Sequence, residues 1–341
     1  MANMDIGTPR FYTDHINYLM SRGLALSGNF DLISDGGYLV TTINSGSAAE
    51  LVDMKPLNKV VLDTAGRDIQ CAVLINVDTQ STTTTKSFIA VLNHNCKSAN
   101  ARFRIAASNT ESHVNNINFN TPTLSPDCTD VVNGSAATQV ITPAADGSTI
   151  VTFAESSLQY WGIQFEGATT FHASTDLFVG CILIGEVYDM PNSPNMAVTR
   201  RISFEDLNTV NQSEGGQRYS NLRSYGRTAS STSKSPFTTA SNGYDTYGGR
   251  IVYDMGFSFL TSANVMPDEY HTVSADDNFI SDVWNMTNGN HLPFIFSVDK
   301  DSAGADAESE HIFARFTNSS LDMTQVSHKL WDINLSIEEE F

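Results

Sequence analysis

The chain has 341 residues, of which 40% are hydrophobic and 17% charged, and a formal net charge of −19. That length holds one large β domain or two smaller ones, and the acidic balance argues against a general or sequence-specific nucleic-acid binder, because phosphate would be repelled. No apolar run approaches the ~20 residues of a membrane-crossing helix.

The first residues, MANMDIGTPR, have neither a basic nor an apolar stretch of the secretory kind. The expectation is therefore a chain made in a reducing cytosol, without disulfides among Cys71, Cys96, Cys128 and Cys181. Cys71 and Cys181 lie in apolar runs and read as buried thiols. Within an N-terminal arm over 1–28, Ile16, Leu19 and Met20 space a short helix closed by Gly23.

From 29 to 190, short apolar runs alternate with turn-formers. FDLIS, GYLVTTI, KVVLDT, IQCAVLINVD, SFIAVLN, ARFRIAAS, QVITP, STIVTFA, YWGIQFEG and DLFVGCILIGEVY each predict a strand. Regular short strands with no helix between them predict a mainly β fold, a sandwich or jelly roll. After Tyr188 the prolines of YDMPNSPNM mark a connector, and NMAVTRRISFEDL holds a further strand. In GRIVYDMGFSFL, Ile251, Tyr253, Met255, Phe257 and Phe259 alternate with smaller or polar residues, which is a strand with one apolar face. ADDNFISDVWNMTNGN reads as a helix capped by Asp276 or Asp277 and ended by Gly289. LPFIFSVD, HIFARFTN and KLWDINLSIEEEF finish a second unit over 191–341 as strands.

Between these strands lies a polar Gly/Ser/Thr-rich loop, 208–249, far longer than an ordinary connection. Residues 200–250 hold seven Lys and Arg against four acids, so this stretch is +3 and the rest of the chain −22. A basic arm on an acidic body is complementary between copies. Arg218, Arg223 and Arg227 suit carboxylates, and Tyr219 and Tyr225 suit apolar anchoring at an interface. The arm is read as an intersubunit clasp, against a surface loop or a nucleic-acid contact.

Enzyme motifs are missing from the sequence: no G-x-S-x-G, H-E-x-x-H or phosphate loop occurs, and the chain is read as a non-enzyme. His94 and Cys96 put an imidazole near a thiol with no third partner. Asp14–His15 reads as a helix cap or surface pair, and Trp161 as sandwich core rather than a sugar platform. Glu338, Glu339 and Glu340 read as a solvated chain end or as a receptor for a neighbour's arm. DKDSAGADAESE places Asp299, Asp301 and Glu310 at positions 1, 3 and 12 of a calcium loop, with Gly304 at 6. Ala303 at position 5 offers no ligand, so an ordinary acidic hairpin competes with calcium, and no other cofactor is expected.

The runs FVGCILIGEVYDMPNSPNM, EGGQRYSNLRSYGR, GRIVYDMGFSFL, PFIFSVD and HKLWDINLSIEEEF together resemble virion proteins of tailed bacteriophages. The resemblance covers mainly 160–341, with a weaker echo in TPRFYTDHINYLMSRG. It implies a structural tail protein, placed near the distal end of the tube or the baseplate. In it, 191–341 would be a tail-tube-like β domain with one helix and a long arm loop, and 29–190 an outer jelly-roll or galectin-like sandwich. It further implies a homo-oligomeric ring, most simply a hexamer, contacts with other tail proteins, and a life in the virion after synthesis in the host cytoplasm. Distal tail proteins carry the tube-like domain first; here it comes second, which leaves the position in the virion open. Two alternatives stand beside this reading. One is a carbohydrate-binding sandwich that adsorbs to a host surface glycan; the other is a head decoration or connector protein.

Overall fold

The computed structural model describes residues 6–23, 30–33, 43–67, 73–80, 84–114, 128–137, 140–203, 208–222, 237, 250–267, 277–301 and 310–340. In chain order the first strands are β1 (Arg10–Asp14), β2 (Phe30–Ile33), β3 (Ile43–Ser45), β4 (Val60–Leu62), β5 (Val73–Asp78), β6 (Lys86–His94) and β7 (Ala101–Ser108). There follow β8 (Cys128–Val132), β9 (Gly134–Ala137), β10 (Val140–Pro143), β11 (Gly147–Ser156), β12 (Tyr160–Gly167), β13 (Leu177–Val179) and β14 (Cys181–Asp189). The remainder are β15 (Thr199–Ser203), β16 (Asn208–Gln212), β17 (Arg218–Leu222), β18 (Arg250–Thr261), β19 (Phe294–Ser297), β20 (His311–Phe316), β21 (Met323–Ser327) and β22 (Leu330–Glu339). The fold is mainly β, as expected.

One sheet runs through most of the molecule in the order β15-β18-β22-β20-β19-β1-β14-β6-β11-β8, with β21 added to β22. Its middle strand comes from the N-terminal stretch. β1 pairs antiparallel with β14 on one side and with β19 on the other, and so joins strands of the two halves into one hydrogen-bonded surface. A six-stranded sheet, β2-β5-β12-β7-β10-β9, packs against the β14-β6-β11 end. Ile89, Val91, Val151, Phe153, Ile182 and Ile184 from the large sheet meet Phe103, Ile105, Trp161, Ile163 and Phe165 from the smaller one. That is a β-sandwich core, formed by the inward-facing half of each alternating strand.

Further along the same face, Tyr188, Phe294, Phe296, Phe316, Tyr253, Met255 and Ile337 build a second aromatic-rich core, covered by Phe279 and Val283. The reverse face is also buried: Tyr12, Phe88, Ala90, Leu92, Leu183, Ile295 and Phe313 form a third cluster. Strands such as β6 and β14 are thus apolar on both sides, which is why their sequences read as continuous apolar runs.

Several expectations change. DLFVGCILIGEVY is not one strand: β13 pairs with β4 in a small separate sheet, while β14 joins the large one. The break falls at Gly180, where a Cβ would lie 2.1 Å from the Pro56 carbonyl oxygen. The short helix His15–Ser21 forms and ends at Gly23 (φ +68), but Met20 is 47% exposed while Ile16 and Leu19 are buried. The expected second helix is a wide turn over Ile280–Trp284, in which the Asn285 N–H donates to the Ile280 carbonyl. Its cap is Asn278, not Asp277: Asn278 Oδ1 accepts from the Ser281 N–H at 2.9 Å, and the Asn278 N–H donates to Asp282 at 2.8 Å. Asp276 lies outside the described residues. Gly289 (φ +66) ends the turn as expected.

The β1–β14 pair depends on one small residue. A Cβ at Gly185 would stand 1.8 Å from the Thr13 carbonyl oxygen. Gly185→Ala should therefore destabilise the chain by about 3 kcal/mol or more, read as a lower urea midpoint. An unchanged midpoint would show that β1 is not locked at this position.

Candidate functional site

The arm begins as a hairpin that belongs to neither of the larger sheets. β16 and β17 hydrogen-bond to each other as a two-stranded sheet, with Gln212 opposite Arg218. Its tip is the turn SEGGQ: the Ser213 N–H donates to the Gln217 carbonyl, and the Gly216 N–H to the Ser213 carbonyl. Gly216 takes φ +82, so this run needs a glycine there. Arg218 and Tyr219 project from the hairpin; Tyr219 is 58% exposed and its hydroxyl donates to Gln217 Oε1. The structure therefore presents these two arm residues, while Arg223, Tyr225 and Arg227 lie outside the described residues. Phe237, another arm aromatic, is buried in its own chain on the reverse face, with its ring centroid 6.1 Å from that of His311.

The hairpin follows β15, the edge strand at one end of the large sheet. Exposed apolar side chains concentrate at this end. Of seven among the described residues, five are Met196, Ile202, Tyr219, Phe259 and Val326. Phe259 sits at a bulge in β18 with φ +61, a strained conformation for an aromatic residue held by its N–H bond to Asp332.

A groove of about 710 Å³ opens over the other half of the sheet, lined by residues of β1, β14, β6, β11 and β8 and by the start of the 300-region loop. On its wall, Arg10 grips Asp189 through two bonds, Nε to Oδ1 at 2.6 Å and Nη2 to Oδ2 at 2.9 Å. Burial opposes the Arg10 charge most strongly, but Asp189 and Tyr12 together outweigh it and push its pKa up. Beneath Arg10, burial pushes the Tyr12 hydroxyl up to about 12. Asp130, Glu155, Asp301 and Lys300 complete the charged rim, and the Thr129 and Thr152 hydroxyls approach to 3.4 Å. No lysine or arginine among the described residues forms an ion pair with Asp130 or Glu155. Nothing in the sequence signals this groove, because its walls come from residues 10, 130, 155, 189 and 301.

The expected calcium residues are placed as follows. Asp299 Oδ1 accepts from the Asp301 N–H, Asp301 lies 3.5 Å from Lys300 and lines the groove, and Glu310 precedes β20. The loop between, with Ala303 and Gly304, lies outside the described residues. Among the described residues, the acidic side chains whose ligand atoms come within 4.8 Å of one another are Glu155, Glu186 and Asp277 instead, two of them exposed. The three C-terminal glutamates are engaged by their own chain. Arg250 pairs with Glu338, the Ile251 N–H donates to the buried Glu339, and Arg315 clasps Glu340. Glu339 is buried, while Glu338 and Glu340 stay partly exposed.

The other candidates resolve into core. Trp161 is fully buried, stacked on Phe153 and bonded through Nε1 to the Leu158 carbonyl. Asp14 caps the first helix by accepting from the Asn17 N–H and also accepts from the Ile184 N–H; it is buried, not a surface group. His94 Nδ1 accepts from the Cys96 backbone N–H, not from the thiol, and burial pushes that thiol up, away from the reactive thiolate.

No family model matches the chain, and no curated protein matches it. Two solved structures are similar over part of it. One is chitosan-binding module 1 derived from a chitosanase/glucanase from Paenibacillus sp. IK-5, 16% identical, spanning 46% of this chain and 92% of that one at a TM-score of 0.28. The other is CBM32-1 from a family 31 glycoside hydrolase from Clostridium perfringens, 11% identical, spanning 46% and 94% at a TM-score of 0.29.

Burial holds His94 neutral, lowering its pKa from 6.5 to about 4. The native state then binds fewer protons than the unfolded chain, so this contribution is full above pH 6.5 and is lost as pH falls toward 4. Urea titrations of wild type and His94→Gln should show the wild type losing on the order of 3 kcal/mol relative to the variant across that window. Parallel pH profiles would contradict the assignment.

Proposed function

We propose that this protein is a structural, non-enzymatic component of a tailed-bacteriophage virion that assembles with copies of itself through its arm. The observation that carries this reading is the 208–222 hairpin: it pairs only with itself among the described strands, presents Arg218 and Tyr219, and belongs to a basic stretch on an otherwise acidic chain. A protruding element of that kind gains its ordering energy from a partner surface. The exposed apolar residues at the same end of the sheet add area to such a contact. A ring-forming tail protein, most simply a hexamer, is the form that the sequence resemblance favours.

A second reading, a carbohydrate-binding sandwich for host adsorption, is favoured by the groove, whose hydroxyls and carboxylates are able to hydrogen-bond a sugar. Glycan binding by the full-length chain, undiminished by arm mutation, supports that reading.

Sedimentation separates the two. Wild type should form a discrete oligomer, and a chain with 212–222 replaced by a short Gly/Ser linker should sediment as a monomer. Assembly unchanged by this replacement would contradict the proposal.

A further inference from the structure

The hairpin follows the edge strand at one end of the large sheet, and the groove is walled by the other half of that sheet. The hairpin roots at β15, the first strand in the order, whereas the groove is walled by strands from β1 to β8, the last. At roughly 4.8 Å per strand, the five steps from β15 to β1, the nearest wall of the groove, span roughly 25 Å. The hairpin ends in exposed Arg218 and Tyr219, while Asp130 and Glu155 lie in the groove without a described cationic partner. The other two carboxylates of the groove are held by Arg10 and Lys300. The groove therefore offers negative charge for one more cation, and the hairpin of the same molecule carries an exposed arginine beside an aromatic ring.

We propose that this groove is the receptor for the hairpin of a second copy of the chain, with that copy's Arg218 set among the carboxylates of Asp130 and Glu155. This rests on the assembly reading and adds its receiving surface. A planar guanidinium is matched to carboxylates by shape as well as charge. The reverse face that bears Arg10 already binds arm sequence, since Phe237 is seated there among Tyr12, His311 and Phe313. The contact is head-to-tail: the hairpin of each copy meets the groove of the next. Repetition about an axis closes such contacts into a ring, whereas a self-matching surface would stop at a dimer.

The test uses the full-length chain and four proteins: wild type, Arg218→Glu, Asp130→Asn/Glu155→Gln, and a swap carrying Arg218→Glu with Asp130→Lys/Glu155→Lys. Self-association is followed by sedimentation at several protein and salt concentrations. The thermal midpoint of each protein serves as the folding control. The first two variants should associate about tenfold more weakly than wild type or worse, with unchanged midpoints, and the swap should recover association. Loss of assembly in Arg218→Glu but not in Asp130→Asn/Glu155→Gln would overturn the groove assignment and leave the assembly reading intact. A wild type that remains monomeric contradicts both. Binding to a glycan array that disappears in Asp130→Asn/Glu155→Gln, with assembly unaffected, would assign the groove to a sugar and overturn the inference.

Discussion

The rest of the molecule depends on a five-residue strand, Arg10–Asp14, threaded between β14 and β19. Every side chain from Phe11 to Asp14 is buried. Phe11 packs among Phe279, Phe294, Phe296 and Phe316, while Tyr12 turns to the opposite face against Phe88 and His311. Asp14 ties the end of the strand to β14 through the Ile184 N–H and starts the first helix. Without this strand the apolar edges of β14 and β19 would be unpaired, and unpaired buried backbone groups are costly. The two halves of the chain therefore share one sheet, and a load on one end can be carried to the other through backbone hydrogen bonds.

That continuity gives the proposed function its geometry. The strand that joins the halves also supplies Arg10 to the groove, and the far edge strand leads into the hairpin. The edge strand before the hairpin and the walls of the groove belong to one hydrogen-bonded sheet that is buried on both faces along β6 and β14. A body of this kind suits an assembly in which the interval between subunits is set by the protomer.

Much of the fold was legible where burial is one-sided. GRIVYDMGFSFL alternates because only one of its faces meets the aromatic core, and its strand forms over Arg250–Thr261. YWGIQFEG and SFIAVLN become β12 and β6 although both are buried on two faces, because a continuous apolar run also marks a strand. The signal failed where a short strand shows neither an alternation nor a long apolar run. TPRFYTD shows no alternation because Phe11 and Tyr12 are both buried on opposite faces, so nothing in its pattern marks β1 as a strand. The run 176–188 hid a break that only the Pro56 backbone imposes. The hairpin in the arm was invisible for the converse reason: its residues carry no apolar period, and those from Glu214 to Tyr219 face solvent. Of the candidate sites, the arm was found from composition and charge, whereas the groove, assembled from distant positions, left no local trace. The apparent acidic tail misled because Arg250 and Arg315, which engage it, lie far away in sequence.

The central claim is that the hairpin of one copy is built to meet the groove of the next. Electron microscopy of the purified full-length protein tests it most directly. The account predicts closed rings whose subunits are related by a single repeated rotation. Two-fold dimers in which hairpin meets hairpin, or isolated monomers at every concentration, would contradict it.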